Sequence, residues 1–324
     1  MAKKNIAVVA GGFSGESVIS LRSAKMVMDN IDRSIYEPTL IIVERHAWVA
    51  HTAEGELPIN KGDFSIDLAQ GKCVFDGVFM IIHGTPGEDG IMQGYFDMIG
   101  MKYTTGDVFN MSLTFNKTAT NAVLADHGYK VAAHVMLRKN DHYSTHEIVS
   151  KLGLPLFVKP NQGGSSLGAS RVNVKEGLHN AIDLALKADD EVIVEAFIDG
   201  RELSCSVIIL NDQVTALPIT EITTDNEFFD FQAKYEGKSE EITPAQVDDS
   251  LRDLVQQQSR EIFELLDCKG MIRVDFLIRN ELPFVVEVNT VPGFSEQSII
   301  PQQALAMGLS IKELVSAIIQ GSGL

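Results

Sequence analysis

Residues 271–293, MIRVDFLIRNELPFVVEVNTVPG, constrain this chain more than any other stretch. Apolar and polar residues alternate on both flanks with the period of a strand, and Arg279-Asn280-Glu281 supplies turn residues between them, so the segment reads as a β-hairpin. Residues two apart on a strand share a face, which groups Arg273 with Asp275 and Glu287 with Asn289. A turn centred on Glu281 then sets Asp275 opposite Glu287 and Arg273 opposite Asn289. Two carboxylates and an amide oxygen converging on an apolar hairpin repel one another and stay poorly solvated unless a cation sits among them. Oxygen donors with no His or Cys nearby suit Mg2+ rather than zinc. The plainer alternative is an edge hairpin with a wet polar face. Four polar groups in register, followed at once by Thr290-Val291-Pro292-Gly293, weigh toward the metal site.

A chain of 324 residues is too long for one ordinary core and predicts two or three domains. The formal charge of -17 speaks against nucleic acid and anionic membrane as partners, since both demand a basic surface. Any anionic substrate must therefore meet a local cluster of cations. The first residues carry two lysines and a short apolar run before Gly11-Gly12, too short for a signal-peptide core or a membrane span. Cys73, Cys205 and Cys268 form no paired-spacing motif, which suits small buried thiols in a reducing cytoplasm.

Residues 5–10 read as a buried strand, the glycine-rich turn 11–16 follows, and a helix starts near Ser17. Strand-turn-helix patterning returns at 38–44 and 77–83, predicting an α/β domain with a parallel sheet over residues 1–106. The polar stretch 45–73 reads as a surface insertion. Residues 107–195 predict a second unit: a helix from Asn110 to His127, strands at 154–159, 169–174 and 192–197, and a helix over 175–188. The third, 196–324, holds strands, a long polar loop, an amphipathic helix over 246–266, the hairpin and a terminal helix from Ile311.

Between two of these strands runs Lys159-Pro-Asn-Gln-Gly-Gly-Ser-Ser-Leu-Gly168, where glycines let backbone N–H groups approach an anion closely. The loop lacks the ending of a P-loop and opens no helix, so an ordinary flexible turn stands beside the anion-binding reading. Lys159 ends an apolar strand, and a buried ammonium needs an anionic partner. Glu195 and Glu202 suit hydrogen bonds to a nucleobase amine or ribose hydroxyls, although solvated strand ends look the same. Residues 228–235, FFDFQAKY, lie in a long charged loop of the kind used as lids, and closure would deliver Lys234 to whatever lies beneath. His83-Gly-Thr-Pro-Gly-Glu-Asp-Gly90 follows a strand end, where His83 either orients a substrate or caps a loop.

Taken in order, these motifs resemble the D-alanine:D-alanine ligase family of the ATP-grasp superfamily, nearly end to end. The resembling pieces are Gly11-Gly-x-Ser-Gly-Glu16, the 83–90 motif, Asn116-Lys117, the 159–168 loop, 228–235, Arg273-x-Asp275, and Glu287-x-Asn289-Thr-x-Pro-Gly293 with Ser298. The resemblance implies an α/β, three-domain ATP-grasp architecture with an N-terminal parallel-sheet domain, and ATP held between the central and C-terminal domains. It implies that ATP phosphorylates the carboxylate of one D-alanine and that the amine of a second attacks the acyl phosphate, for peptidoglycan synthesis.

By the same resemblance, Lys117, Lys159 and Lys234 hold the phosphates, with Ser166, Glu195 and Glu202 also on the nucleotide. Asp275, Glu287 and Asn289 bind two Mg2+ ions, which Mn2+ can replace. Arg273 and the Gly293 N–H stabilise the tetrahedral oxyanion, Glu16 takes the first ammonium and Ser298 the second carboxylate. Ser165 and Tyr235 join Glu16 in a network tying the lid to the substrate, and Tyr235 favours a dipeptide product over a D-lactate ester. A cytoplasmic homodimer is also implied. Gly163, where relatives carry an acidic residue, Ala196, where a lysine often meets adenine, and Ile19, where valine is commoner, depart from the pattern. The competing readings are ligation of another carboxylate and nucleophile by the same machinery, and a nucleotide-binding regulator without turnover.

Overall fold

The computed structural model describes residues 3–164, 167–224 and 239–324. Ser165, Ser166, Lys234, Tyr235 and the rest of the 228–235 segment therefore lie outside the described residues. No single helix among the described residues is long and apolar enough to cross a membrane.

The first sheet is built on β1 (Lys4–Gly11), whose run of fully buried Ile6 to Ala10 suits a strand covered on both faces. It pairs in parallel with β2 (Tyr36–Val43) and, across the sheet, with β7 (Gly77–Met80). Helix α1 (Ser17–Asn30) packs on β1 and starts where the sequence predicts. The sheet is nevertheless mixed. β3 (Trp48–Thr52) and β4 (Gly55–Pro58) continue it antiparallel beyond β2, and β5 (Ile66–Leu68) and β6 (Gly71–Cys73) form a separate hairpin.

The expected surface insertion at 45–73 is thus partly core. Phe64 is fully buried, with its ring centroid 5.1 Å from that of Phe96 in α2 (Ile91–Met98) and 6.1 Å from that of Trp48. Single aromatics spaced irregularly among polar residues leave no periodicity, yet each buries a large area once distant segments meet.

α3 (Val108–Phe115) and α4 (Lys117–Asp126) lead on and pack against the C-terminal sheet. The central sheet is antiparallel, in the order β10 (Ser170–Val172), β9 (Leu156–Pro160), β11 (Glu191–Ala196), β8 (His134–Arg138). α5 (Thr145–Leu152) and α6 (Leu178–Ala185) cover one face through Ile148, Leu178 and Ile182 against Val158, Val192 and Val194. The period of two leaves Phe157, Lys159 and Glu195 on the other face.

The third sheet runs β15 (Ser239–Ile242), β14 (Thr220–Thr224), β12 (Arg201–Leu210), β16 (Met271–Arg279), β17 (Leu282–Asn289), and β13 (Gln213–Ala216) also pairs with β12. Its apolar face, with Leu203, Cys205, Val274 and Phe276, packs on α7 (Asp249–Leu265). The Asp248 side chain accepts from the Leu251 N–H at 2.8 Å and starts that helix three residues later than the periodicity suggests. α8 (Ile299–Met307) lies on the opposite, polar face, against β12. α9 (Ile311–Gly321) opens with a Ser310/Glu313 capping box and joins its Leu314, Val315 and Ile318 to the N-terminal core.

Candidate active site

The hairpin β16–β17 is where strand register decides chemistry. Asn280 and Glu281 both have positive φ, 52° and 59°, and make a two-residue turn, so Arg279 pairs with Leu282 and Phe276 with Val285. Continued unchanged, that register would put Glu287 and Asn289 on the opposite face from Arg273 and Asp275. A bulge at Val286 adds one residue to β17, and beyond it Asp275 pairs with Glu287 and Arg273 with Asn289. The pairing expected from a turn centred on Glu281 is therefore observed, but a tighter turn and a bulge produce it. The bulge also sets consecutive residues, Val285 and Val286, on the wall of one cavity.

Asp275, 4% exposed, accepts hydrogen bonds on both oxygens. Oδ1 receives the Ser204 hydroxyl at 2.5 Å and Arg273 Nε at 2.7 Å. Oδ2 receives the second arm of Arg273 at 2.6 Å and Asn289 Nδ2 at 3.0 Å. The cation that the converging carboxylates require is, at Asp275, the chain's own arginine in a two-point contact. Asn289 Nδ2 also reaches Glu287 Oε1 at 3.4 Å. No group of three or more His, Cys, Asp or Glu side chains comes together as a metal cluster among the described residues. Two carboxylates and an amide on one face still form a hard-oxygen set that fits Mg2+, provided the amide turns its oxygen inward and Asp275 exchanges one of its donors for the ion.

A cavity of about 580 Å³ lies over this face and is lined by all three units. Of the sequence-predicted residues it gathers Glu16, Lys117, Lys159, Glu195, Glu202, Asp275 and Glu287. Its apolar part is formed by Phe157, Phe197 and Ile198 on one side and Leu277, Val285 and Val286 on the other, with the Arg171 guanidinium 4.2 Å from the centroid of the Phe197 ring.

Lys159 finds the anionic partner its burial demands. Its ammonium is 2.8 Å from Glu195 Oε2, and each side chain is 9% exposed. The two lie diagonally across β9 and β11, because Lys159 pairs with Ile193 and Phe157 with Glu195. Lys117 opens α4 behind an Asn116 cap, and its Nζ donates to the Gly163 carbonyl at 2.7 Å. Asn161 fastens that junction to the glycine loop by accepting from the Thr118 N–H at 2.9 Å.

Glu16 is the N-cap residue of α1 but makes no side-chain cap bond. Its carboxylate instead lies against two glycines: a Cβ on Gly84 would meet Oε2 at 2.7 Å, and one on Gly164 would meet Oε1 at 2.8 Å. The glycine loop and the first unit thus converge on one carboxylate.

Gly293 and Ser298 neighbour each other outside the cavity wall: a Cβ on Gly293 would lie 3.1 Å from Ser298 Oγ, which accepts from the Ser295 N–H at 2.9 Å. The 291–294 loop that carries Gly293 is held from the first unit. His83 Nδ1 lies 2.7 Å from the Val291 carbonyl, which can only accept, so Nδ1 carries the proton and Nε2 accepts from Ser23 Oγ at 2.9 Å. Ser23 in turn accepts from the Phe294 N–H at 3.1 Å. Of the two roles read for His83, the structure shows the loop-holding one. Burial lowers its pKa to about 4, so the ring is neutral at pH 7.

Glu88, which the sequence reading quotes in a motif without a role, accepts from the Gly84 N–H at 2.6 Å and the Val291 N–H at 3.1 Å. Desolvation, and then the neighbouring charges of Glu16 and Glu287, push it up to about 8 despite those two donors. Neither Ser204 nor Gln303 is singled out in the sequence reading either. The signal for Gln303 is a glutamine on an otherwise apolar helix face.

With this geometry in hand, the chain can be set beside known proteins. The N-terminal D-ala D-ala ligase family pattern matches residues 5–106, and the C-terminal one matches residues 123–320. The chain belongs to the D-alanine–D-alanine ligase family. It is 45% identical to the D-alanine--D-alanine ligase of Flavobacterium johnsoniae over 98% of each chain. It is 46% identical to that of Parabacteroides distasonis over 98% of this chain and 97% of the relative. The crystal structure of VanG D-Ala:D-Ser ligase from Enterococcus faecalis superposes with a TM-score of 0.88 at 30% identity, over 99% of this chain and 100% of that one. A D-alanine--D-alanine ligase from Bacillus anthracis complexed with ATP gives a TM-score of 0.80 at 27% identity, over 99% and 97%. The α/β ATP-grasp architecture implied by the motifs is the one observed. Membership also makes the chain an ATP-dependent ligase.

Proposed function

We propose that the chain joins two D-alanine molecules into D-alanyl-D-alanine, consuming ATP and releasing ADP and phosphate, for peptidoglycan precursor synthesis. The observation that carries this reading is the bulged hairpin, which turns Arg273, Asp275, Glu287 and Asn289 onto one face beside a cavity that also holds Glu16, Lys117 and Lys159. A carboxylate oxygen of the first D-alanine attacks the γ-phosphorus and ADP leaves. The amine of the second then attacks the acyl carbon, loses a proton, and the tetrahedral adduct expels phosphate.

Such transfers depend on placement and on cations at developing charge. In this reading Lys117 and Lys159 take the phosphates, Lys159 exchanging Glu195 for them, while Glu195, Glu202 and Ser166 hold the rest of the nucleotide. Lys234 reaches the transferring phosphoryl group, and Ser165 and Tyr235 tie the lid to Glu16. Glu16 binds the first ammonium, Ser298 the second carboxylate, and Arg273 with the Gly293 N–H faces the oxyanion. Asp275, Glu287 and Asn289 would hold Mg2+, two ions replaceable by Mn2+, which when bound neutralises phosphate charge. The division at 1–106, 107–195 and 196–324, a cytoplasmic location and a homodimer complete the proposal.

A second nucleophile is favoured by one observation, the structural likeness to a D-Ala:D-Ser ligase. Phosphate release from ATP and Mg2+ with D-alanine alone, and with D-alanine plus D-serine or D-lactate, separates the two once products are weighed by mass spectrometry. Dipeptide from D-alanine alone is expected. Phosphate appearing only with D-serine or D-lactate would replace the second substrate, and none with any of them would overturn the ligation.

A further inference from the structure

Strand β12 has a gap along the edge it shares with β14 and β13. β14 covers Glu202 to Ser204 and β13 covers Val207 to Leu210. Between them the Ser204 carbonyl and the Ser206 N–H face α8 rather than a strand, and Gln303 fills the break. Its Oε1 accepts from the Ser206 N–H at 3.2 Å, and its Nε2 donates to the Ser204 carbonyl at 2.9 Å and to Thr220 Oγ1 at 3.1 Å. A side-chain amide thus stands where a peptide group of a neighbouring strand would stand. Gln303, Ser204, Ser206 and Thr220 are all 0% exposed. No water reaches these groups, so an apolar side chain at 303 would leave a buried donor and acceptor unmet.

Ser204 is also the cross-strand partner of Asp275, and its hydroxyl makes the 2.5 Å bond to Oδ1. That bond differs from the other bonds to Asp275. Arg273 and Asn289 reach the carboxylate through longer, rotatable side chains, whereas a serine hydroxyl sits one atom beyond Cβ and moves with its backbone. We propose that Gln303 is a positioning residue that fixes the Ser204 backbone and, through the Ser204 hydroxyl, the orientation of the Asp275 carboxylate. The proposal rests on the reading of Asp275 as a cation ligand, for which the chain's own groups would act as the outer layer that aims the ligand.

The test is binding of Mn2+ to the full chain in the presence of ADP, followed by the electron paramagnetic resonance signal of free Mn2+, with thermal melting to confirm folding. Gln303→Leu keeps the volume and removes the amide; Gln303→Met serves if the leucine variant does not fold. Either, and Ser204→Ala, should weaken Mn2+ binding about 10-fold, Ser204→Thr should restore it, and the Gln303/Ser204 double variant should be no weaker than the singles. Asp275→Asn is the control. If it loses Mn2+ while Gln303→Leu does not, Gln303 merely fills the sheet and the proposal fails. Fully additive losses would show that Gln303 does not act through Ser204. If Asp275→Asn itself leaves Mn2+ binding unchanged, the cation reading of Asp275 is wrong, and the positioning role falls with it.

Discussion

Two buried ion pairs face the cavity from different sheets, and they are built differently. On the central sheet, Lys159 meets Glu195 through one ammonium contact, with a long 3.5 Å bond from Asn121 as further support for the glutamate. On the C-terminal sheet, Arg273 grips Asp275 at two points, and Ser204 and Asn289 supply two more donors. A point charge on a flexible stem exchanges one anion for another with little rearrangement, whereas a planar fork in a saturated network holds its geometry. In the proposed reading, the first pair exchanges with an incoming phosphate and the second keeps the reacting face in register.

Deleting one side of each pair should separate these roles. Asp275→Ala removes the acceptor of four donors in a buried site, and we expect a loss of about 3–5 kcal/mol in urea unfolding together with loss of ligation. Lys159→Met leaves Glu195 buried with one donor fewer and should cost less, about 1–3 kcal/mol, while raising the KM for ATP. Adding Glu195→Leu to Lys159→Met should recover most of the stability without recovering ATP affinity. Recovery of both would place the lysine in the fold and not in nucleotide binding.

Glu88 sharpens the contrast through pH. Its folded pKa of about 8 lies above the ordinary carboxylate value of 4.5, so between those values the folded state holds a proton that the unfolded state has released. Its contribution is therefore fully present below pH 4.5 and is lost as pH rises toward 8. His83 works the other way: with its pKa lowered from 6.5 to about 4, it favours the folded state increasingly as pH rises across that window. Above pH 6.5 only the Glu88 slope remains of the two. Denaturation at pH 6.5 and 8 should show stability falling in the parent chain and a flatter profile in Glu88→Gln.

The smallest expected effect is at the hairpin turn. Glu281 holds a φ of 59°, where a side chain costs roughly 1–2 kcal/mol and glycine almost nothing. Glu281→Gly should therefore raise the melting temperature while leaving ligation intact. A fall in activity would show that the turn itself takes part in the site.

Much of this site is legible in the sequence because strand alternation is a local property. Spacing alone groups Arg273 with Asp275 and Glu287 with Asn289, and the burial of Lys159 demands an anion before Glu195 is seen to supply it. The bulge at Val286 is not legible: Val285 and Val286 look like any apolar pair, and the extra residue shows only in the pairing with β16. Gln303 is hidden for a similar reason, since the gap it fills is created by two other strands leaving β12. The core role of Phe64 depends in part on the ring of Phe96, more than thirty residues away. The resemblance to the family, in contrast, draws on ordered motifs along the whole chain and needs none of these contacts.

The most direct test of the account is the Mg2+ dependence of phosphate release in Glu287→Gln, because Glu287 reaches the Asp275 face only through the bulge. The half-saturating Mg2+ concentration should rise by about 10-fold or more while the KM for D-alanine changes little. An unchanged Mg2+ response would contradict the assignment of that face to the cation.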